Sequence, residues 1–198
     1  EQKKNIIIQG PPGVGKSFVA KRLSYFLLGT KDDSRIEMIQ FHQSYSYEDF
    51  IQGYRPNLEG KFYLKNGVFY DFCKRAASDP NRKYVFIIDE INRGNLSKIF
   101  GELMLLIESD KRSRDYGLKL TYADEKDARF FIPPNLYLVG MMNTADRSLA
   151  LVDYALRRRF SFVALEPGFK SVKFVEFLSG RGVEKAVALM IIDRMTYL

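Results

Sequence analysis

The sequence predicts an α/β fold: a parallel five-stranded sheet flanked by helices, followed by a unit made of helices only. Three observations carry that prediction. Short apolar runs alternate with segments of helical spacing along most of the chain. A glycine-rich stretch, Gly10-Pro11-Pro12-Gly13-Val14-Gly15-Lys16-Ser17, separates the first apolar run from the first helical pattern. The run Tyr84-Val85-Phe86-Ile87-Ile88 shows no polar alternation, which suits a strand buried on both faces.

The elements follow in order. A first strand is expected over 5–9, from Ile6-Ile7-Ile8, and a helix over 17–28 with Val19, Leu23, Phe26 and Leu27 on its inner face. Gly29 ends that helix. A second strand covers 36–41. The aromatic-rich segment 45–63 reads as a short helix over 47–51 and then an irregular hairpin or loop, since Gly53, Pro56 and Gly60 break its regularity. A helix over 68–78 returns the chain to the third strand, 84–88. The next helix is expected over 96–109, where Leu96, Ile99, Phe100, Leu103, Leu106 and Ile107 keep helical spacing. The charged insert 111–129 reads as a β-hairpin, with Leu118, Leu120 and Tyr122 facing residues 130–132. A fourth strand covers 136–141, a short helix 152–156 and a fifth strand 161–165. After Glu166-Pro167-Gly168 only helices are expected, over 171–178 and 183–198. The chain thus divides into an α/β core over 1–167 and the incomplete beginning of a helical unit over 168–198. No internal repeat or low-complexity segment is visible.

Composition excludes several classes. With 198 residues, 46% of them hydrophobic, the chain can build a core without covalent staples. Its single cysteine, Cys73, rules out an internal disulfide and any cysteine-rich zinc site, and favours a cytoplasmic protein. Cys73 falls in the apolar pattern of Val68, Phe69, Phe72 and Ala76, so it is expected to be buried. His42, the lone histidine, has no serine context that would make a hydrolytic triad, and a structural role is expected for it. No apolar run approaches the ~20 residues that span a bilayer, so no membrane partner is expected. The start Glu1-Gln2-Lys3-Lys4 runs straight into a strand and is read as carrying no secretory leader. A net charge of +7 permits nucleic-acid contact without showing it.

Candidate functional residues collect at strand ends, where open parallel sheets bind ligands. Gly10, Gly13 and Gly15 permit backbone angles that a side chain forbids, and the following helix turns its unpaired N–H groups toward an anion. Lys16 is placed to reach the outer phosphates of a nucleotide and the Ser17 hydroxyl to hold Mg²⁺. Pro11, Pro12, Val14 and Phe18 complete that nucleotide-binding set. Asp89-Glu90 follow the third strand. Taken alone, two acids at a strand end are a turn; beside a phosphate loop, Asp89 reads as the second Mg²⁺ residue and Glu90 as the group that polarises water. Asn143, two residues past the fourth strand, is either a turn residue or an amide that orients water at the γ-phosphate. Arg157-Arg158-Arg159 is either a solvated basic turn or the source of an arginine finger for a neighbouring subunit.

These residues, in this order, resemble an AAA+ P-loop NTPase core: Walker A at 10–17, Walker B at 85–90, a sensor asparagine and an arginine finger. A closer resemblance is to the McrB family, the GTP-driven motors of McrBC restriction systems that act on methylcytosine-containing DNA. It is carried by Gln40 to Phe50, by Ile88-Asp89-Glu90-Ile91-Asn92-Arg93, by Met142-Asn143-Thr144-Ala145-Asp146-Arg147-Ser148, and by Asp153-Tyr154-Ala155-Leu156-Arg157-Arg158-Arg159-Phe160. The resemblance implies a sheet in 5-1-4-3-2 order, an α-helical lid, and a homo-oligomeric ring (a hexamer) with sites between subunits. It implies that Asn143 is sensor 1, that Asp146 belongs near the catalytic centre, and that Arg158, then Arg159, is the finger. It gives Asp153 a part in coupling to a partner subunit. It further implies Mg²⁺ as cofactor, GTP ahead of ATP as substrate, DNA translocation, and a McrC-type nuclease partner. DNA would be read by a domain outside this chain. Two rival readings are an ATP-hydrolysing MoxR-type chaperone and a nucleotide-gated assembly module with little turnover of its own.

Overall fold

The computed structural model describes residues 3–124, 128–145 and 154–196. In chain order its regular elements are β1 (Asn5–Gly10), α1 (Lys16–Leu28), β2 (Ile36–Gln40), α2 (Tyr47–Phe50), β3 (Gln52–Pro56), β4 (Phe62–Asn66), α3 (Val68–Ala77), β5 (Tyr84–Asp89), α4 (Leu96–Phe100), β6 (Leu136–Asn143), α5 (Tyr154–Arg159), β7 (Ser161–Ala164), α6 (Val172–Gly180) and α7 (Lys185–Thr196). Five strands form one sheet in the order β2-β5-β6-β1-β7, and every adjacent pair is parallel. Counted along the sheet's own strands this is the 5-1-4-3-2 order. β3 and β4 pair antiparallel as a separate hairpin.

The central strands are apolar on both sides because both sides are covered. Along β5, Tyr84, Phe86 and Ile88 face one cluster while Val85 and Ile87 face the other. Along β6, Leu136, Leu138 and Met142 alternate in the same way with Tyr137, Val139 and Met141. The first cluster is aromatic. Phe50 stacks on Phe69 at 4.7 Å between ring centres, and Phe41, Phe86 and Phe100 meet it edge-on or tilted within 6 Å. The second cluster lies under α1, where Ala20 and Ser24 are buried and Val19, Leu23 and Leu27 pack beside them. Phe26, expected on that inner face, is 82% exposed instead. The buried stripe is narrower than the apolar pattern, and Ser24 joins it because its hydroxyl bonds back to the Ala20 carbonyl at 2.8 Å.

Two expected elements differ. The helix expected over 96–109 stops at Phe100, because Gly101 turns to φ 49° and a 3-10 turn, Gly101–Met104, follows. A Cβ at Gly101 would sit 3.1 Å from the Tyr47 ring, and Glu102 accepts hydrogen bonds from the Tyr47 hydroxyl (2.6 Å) and the Thr121 N–H (3.0 Å). These side-chain contacts outweigh the helical periodicity, yet Leu103, Leu106 and Ile107 remain fully buried. The insert at 111–129 is not a hairpin among the described residues. It holds one short antiparallel bridge, Leu118 to Phe130, and the turns Ser109–Lys111 and Arg114–Tyr116, while Leu118, Leu120 and Phe130 pack into the aromatic cluster.

The chain forms two compact units, Glu1–Leu165 and Glu166–Leu198. In the second, Ser171 caps α6 by accepting from the Phe174 N–H, and Phe174 lies 6.5 Å from Phe177 in a stacked pair. Among the described residues, no helix is long and apolar enough to cross a membrane.

Two expectations for stability follow. Phe50→Ala removes the centre of the aromatic cluster and should destabilise the fold by about 3–5 kcal/mol in denaturant unfolding. Cys73 is buried as expected, and burial pushes its thiol well above the ordinary range. It should resist alkylation at pH 8 in the native protein and react once the chain is unfolded.

Candidate functional site

β1 carries the chain directly into the phosphate loop. Gly13 (φ 79°) and Gly15 (φ 90°) both adopt left-handed angles, and Gly15 caps α1 without any side chain. The first turn of α1 holds no acid, so its positive end is uncompensated. Lys16 folds its ammonium onto the loop, donating to the carbonyls of Gly10 (2.9 Å) and Pro11 (2.8 Å). Gly10 has a second constraint: a Cβ there would collide with the Leu165 carbonyl at the end of β7. Ser17 and Phe18 are exposed on the first turn, and the Arg22 guanidinium lies 5.0 Å over the Phe18 ring.

Asp89 ends β5 and Glu90 follows in a left-handed conformation (φ 50°, ψ 43°), alone among the described non-glycine residues in having positive φ. The Glu90 N–H donates to Asp89 Oδ1 at 2.9 Å, and Glu90 Oε2 accepts from Arg93 Nε at 3.3 Å. The 3-10 turn Ile91–Arg93 then lies against β6. A Cβ at Gly140 would be 2.8 Å from Ile91 Cδ1, so the missing side chain lets fully buried Ile91 seat there. That seating fixes the backbone bearing Glu90, an unfavourable torsion of about 1–3 kcal/mol that the surrounding packing sustains.

Asn143 is the last residue of β6, not a residue beyond it, and is in register with Gly10 on β1. The Thr144 N–H donates to the Gly10 carbonyl at 3.2 Å, extending the ladder past the strand. Asn143 Oδ1 is buried and meets no hydrogen-bond partner among the described residues, an acceptor left open at the strand end. Asp146, with Arg147, Ser148 and Asp153, lies outside the described residues.

The arginine triplet occupies the last turn of α5, where cations suit the helix dipole, rather than a turn before the strand. It stands at the opposite rim of the sheet from the loop. The Arg159 carbonyl accepts from Asn5 Nδ2 at 2.9 Å, and Asn5 opens β1 whereas Gly10 closes it. Arg159 pairs with Glu108 at 2.8 Å and is mostly covered; Arg157 and Arg158 are exposed. His42, also exposed, sets its ring edge-on to Tyr45 at 5.4 Å, a local packing role.

A family model for the AAA domain, dynein-related subfamily, matches residues 5–160. The chain belongs to that family. The chain is 58% identical over 196 residues to the Escherichia coli K12 "Type IV methyl-directed restriction enzyme EcoKMcrB subunit", covering 99% of this chain and 42% of that protein. It is also 28% identical over 200 residues to the Bacillus subtilis 168 "Type II restriction enzyme BsuMI component YdiS", covering 82% of this chain and 57% of that protein. The chain spans well under two thirds of either relative.

Mg²⁺ is the ion this family of sites implies. The available donors are a serine hydroxyl and a strand-end carboxylate, both hard oxygens. Magnesium in phosphate-loop sites takes one or two protein ligands and fills the rest from phosphates and water. Asp89 keeps one carboxylate oxygen outside its bond to Glu90. Ser17 and Asp89 therefore fit the ion.

Among the buried polar residues that sequence reasoning missed, three stand near the two rims of the sheet. Asn92, two positions past Glu90, is 8% exposed with an unpartnered amide oxygen. Asn5 and Arg112 join at the other rim, inside a strand start and a supposed hairpin, where nothing in the residue pattern marks them. Gly140 within an apolar strand was the one legible sign of a close approach. Gly140→Val should displace Ile91, lower stability by about 1–3 kcal/mol, and reduce nucleotide turnover by more than that loss of folded protein explains. Thermal unfolding and steady-state hydrolysis, measured on the same preparation, check this.

Proposed function

We propose that this AAA domain hydrolyses a nucleoside triphosphate, GTP in preference to ATP. In this reading it is the motor portion of a cytoplasmic, modification-dependent restriction complex of the McrBC type. The carrying observation is the convergence of the loop 10–17, Asp89-Glu90 and the orphaned amide oxygen of Asn143 at the carboxyl ends of adjacent parallel strands. The 58% identity to the McrB subunit supports the restriction role. Guanine preference, a ring (a hexamer), DNA translocation, DNA reading by another domain and a McrC-type nuclease partner are inferred from the resemblance in Met142 to Ser148 and Asp153 to Phe160.

In this mechanism the loop N–H groups and Lys16 bind the phosphates, with Lys16 exchanging loop carbonyls for phosphate oxygens. Ser17 and Asp89 would hold Mg²⁺, which would supply charge neutralisation on the outer phosphates. Glu90 accepts a proton from the attacking water, and Asn143 Oδ1 orients that water. Arg158 stabilises charge on the departing phosphoryl group of the adjacent protomer. Its place at the far rim, roughly 17 Å along β1 from Gly10, supports action between subunits. Asp146 is assigned near this centre by resemblance, and the second unit is taken as the beginning of the lid.

The following measurements test the reading. Glu90→Gln should keep nucleotide affinity and lower kcat by about 100-fold or more; unchanged turnover removes Glu90 from the mechanism. Arg158→Ala should cost about 1,000-fold in kcat without weakening nucleotide binding by the isolated protomer. Wild-type specific activity should rise with protein concentration in the dilute range. A competition between GTP and ATP decides the base, and preferred ATP turnover would favour the chaperone-like alternative. Binding and assembly with little single-turnover hydrolysis, even with nuclease partner added, would favour the assembly module.

A further inference from the structure

The rim opposite the phosphate loop holds a buried polar network that the proposed chemistry does not use directly. Asn5 is 1% exposed and spends its whole amide there. Its Nδ2 donates to the carbonyls of Ile107 (3.0 Å) and Arg159 (2.9 Å), and its Oδ1 accepts from Arg112 Nη2. Arg112 is 2% exposed; its Nε donates to the Ile107 carbonyl at 3.1 Å and its Nη1 to the Leu136 carbonyl. Among the described residues its acceptors are an amide and main-chain oxygens, with no carboxylate among them. Burying a guanidinium on neutral acceptors is expensive, and desolvation draws its pKa down to about 10. An apolar residue of similar size would satisfy the core at lower cost, so the network needs a reason other than stability.

Its geometry supplies one. Four chain segments meet at Asn5 and Arg112: the start of β1, the start of β6, the turn at 107–112, and the end of α5. Glu108, on that turn, clamps the Arg159 side chain at 2.8 Å while Asn5 clamps its main chain. Arg159 is therefore fixed at both ends, and the exposed Arg158 precedes it at the lip of a cleft of about 370 Å³ that both arginines line. We propose that Arg159 is an anchor rather than a second finger, and that Asn5, Arg112 and Glu108 are positioning residues that present Arg158 to the nucleotide of the neighbouring protomer. This rests on the trans-acting role of Arg158 proposed above. Angular precision is what such a network provides: a shift of about 1 Å in a transition-state contact costs roughly 100-fold in rate.

The test uses the assembled oligomer with GTP, and with ATP in parallel. Asn5→Asp keeps the acceptor for Arg112, now as an ion pair, and loses both donors to Ile107 and Arg159. It should lower kcat roughly 100-fold while nucleotide Kd and assembly stay near wild type, and it should lower thermal stability because two buried carbonyls lose their donor. Glu108→Gln, at a partly exposed position, should lower kcat by about tenfold and carries the test alone if Asn5→Asp does not fold. Adding either variant to Arg158→Ala should cause little loss beyond that of Arg158→Ala alone, because both act through one contact. Losses that multiply overturn the proposal, as does a weakened Kd or failed assembly in place of the kcat effect. If Arg158→Ala abolishes turnover while Asn5→Asp and Glu108→Gln leave kcat unchanged, the positioning network alone falls. If Arg158→Ala itself leaves kcat unchanged, the trans-arginine reading falls and takes the network with it.

Discussion

The parallel ladder between β1 and its two neighbours is the constraint from which the rest follows. Register places Asn143 beside Gly10, and the loop leaves the sheet with one neighbour's amide next to it. On the other side the end of β7 comes so close that position 10 tolerates no side chain. Main-chain hydrogen bonds, not side-chain contacts, set these separations. They persist through side-chain motion and fix the loop's point of departure before any ligand arrives.

Packing beneath the sheet serves the same end. Continuous apolar strands accept helices on both faces, and the aromatic cluster fills one face with rings that meet edge-on or stacked. Ile91 reaches from that cluster over Gly140, so the segment bearing Glu90 is tied to the core by one fully buried side chain. The acidic strand end and the loop are thus held by separate devices that share β6 as their common wall.

Much of this was legible in the residues and some was not, for identifiable reasons. Strand positions could be read because each of β1, β5 and β6 contains an unbroken apolar run (Ile6–Ile8, Tyr84–Ile88 and Leu136–Val139), and the loop because its glycines and Lys16 have fixed spacing. The helix after β5 was misjudged because apolar spacing persists through Leu103 and Ile107 although Gly101 has already turned the backbone. The insert at 111–129 was misjudged because alternation at Leu118 and Leu120 mimics a strand, while a bridge to Phe130 is all the pairing described there. Asn5 and Arg112 were invisible because their meaning lies in a contact between residues more than a hundred positions apart. Phe26 was misplaced because hydrophobic identity does not decide which flank of a helix the sheet covers.

The left-handed torsion at Glu90 sets heat resistance against the role proposed for that carboxylate. Glycine there would relax the main chain at no steric cost, and by relieving that strain would make a sturdier molecule. It would also delete the carboxylate. A selection that rewards only survival at high temperature would drift toward that exchange, so position 90 is a place where robustness and usefulness must be screened together.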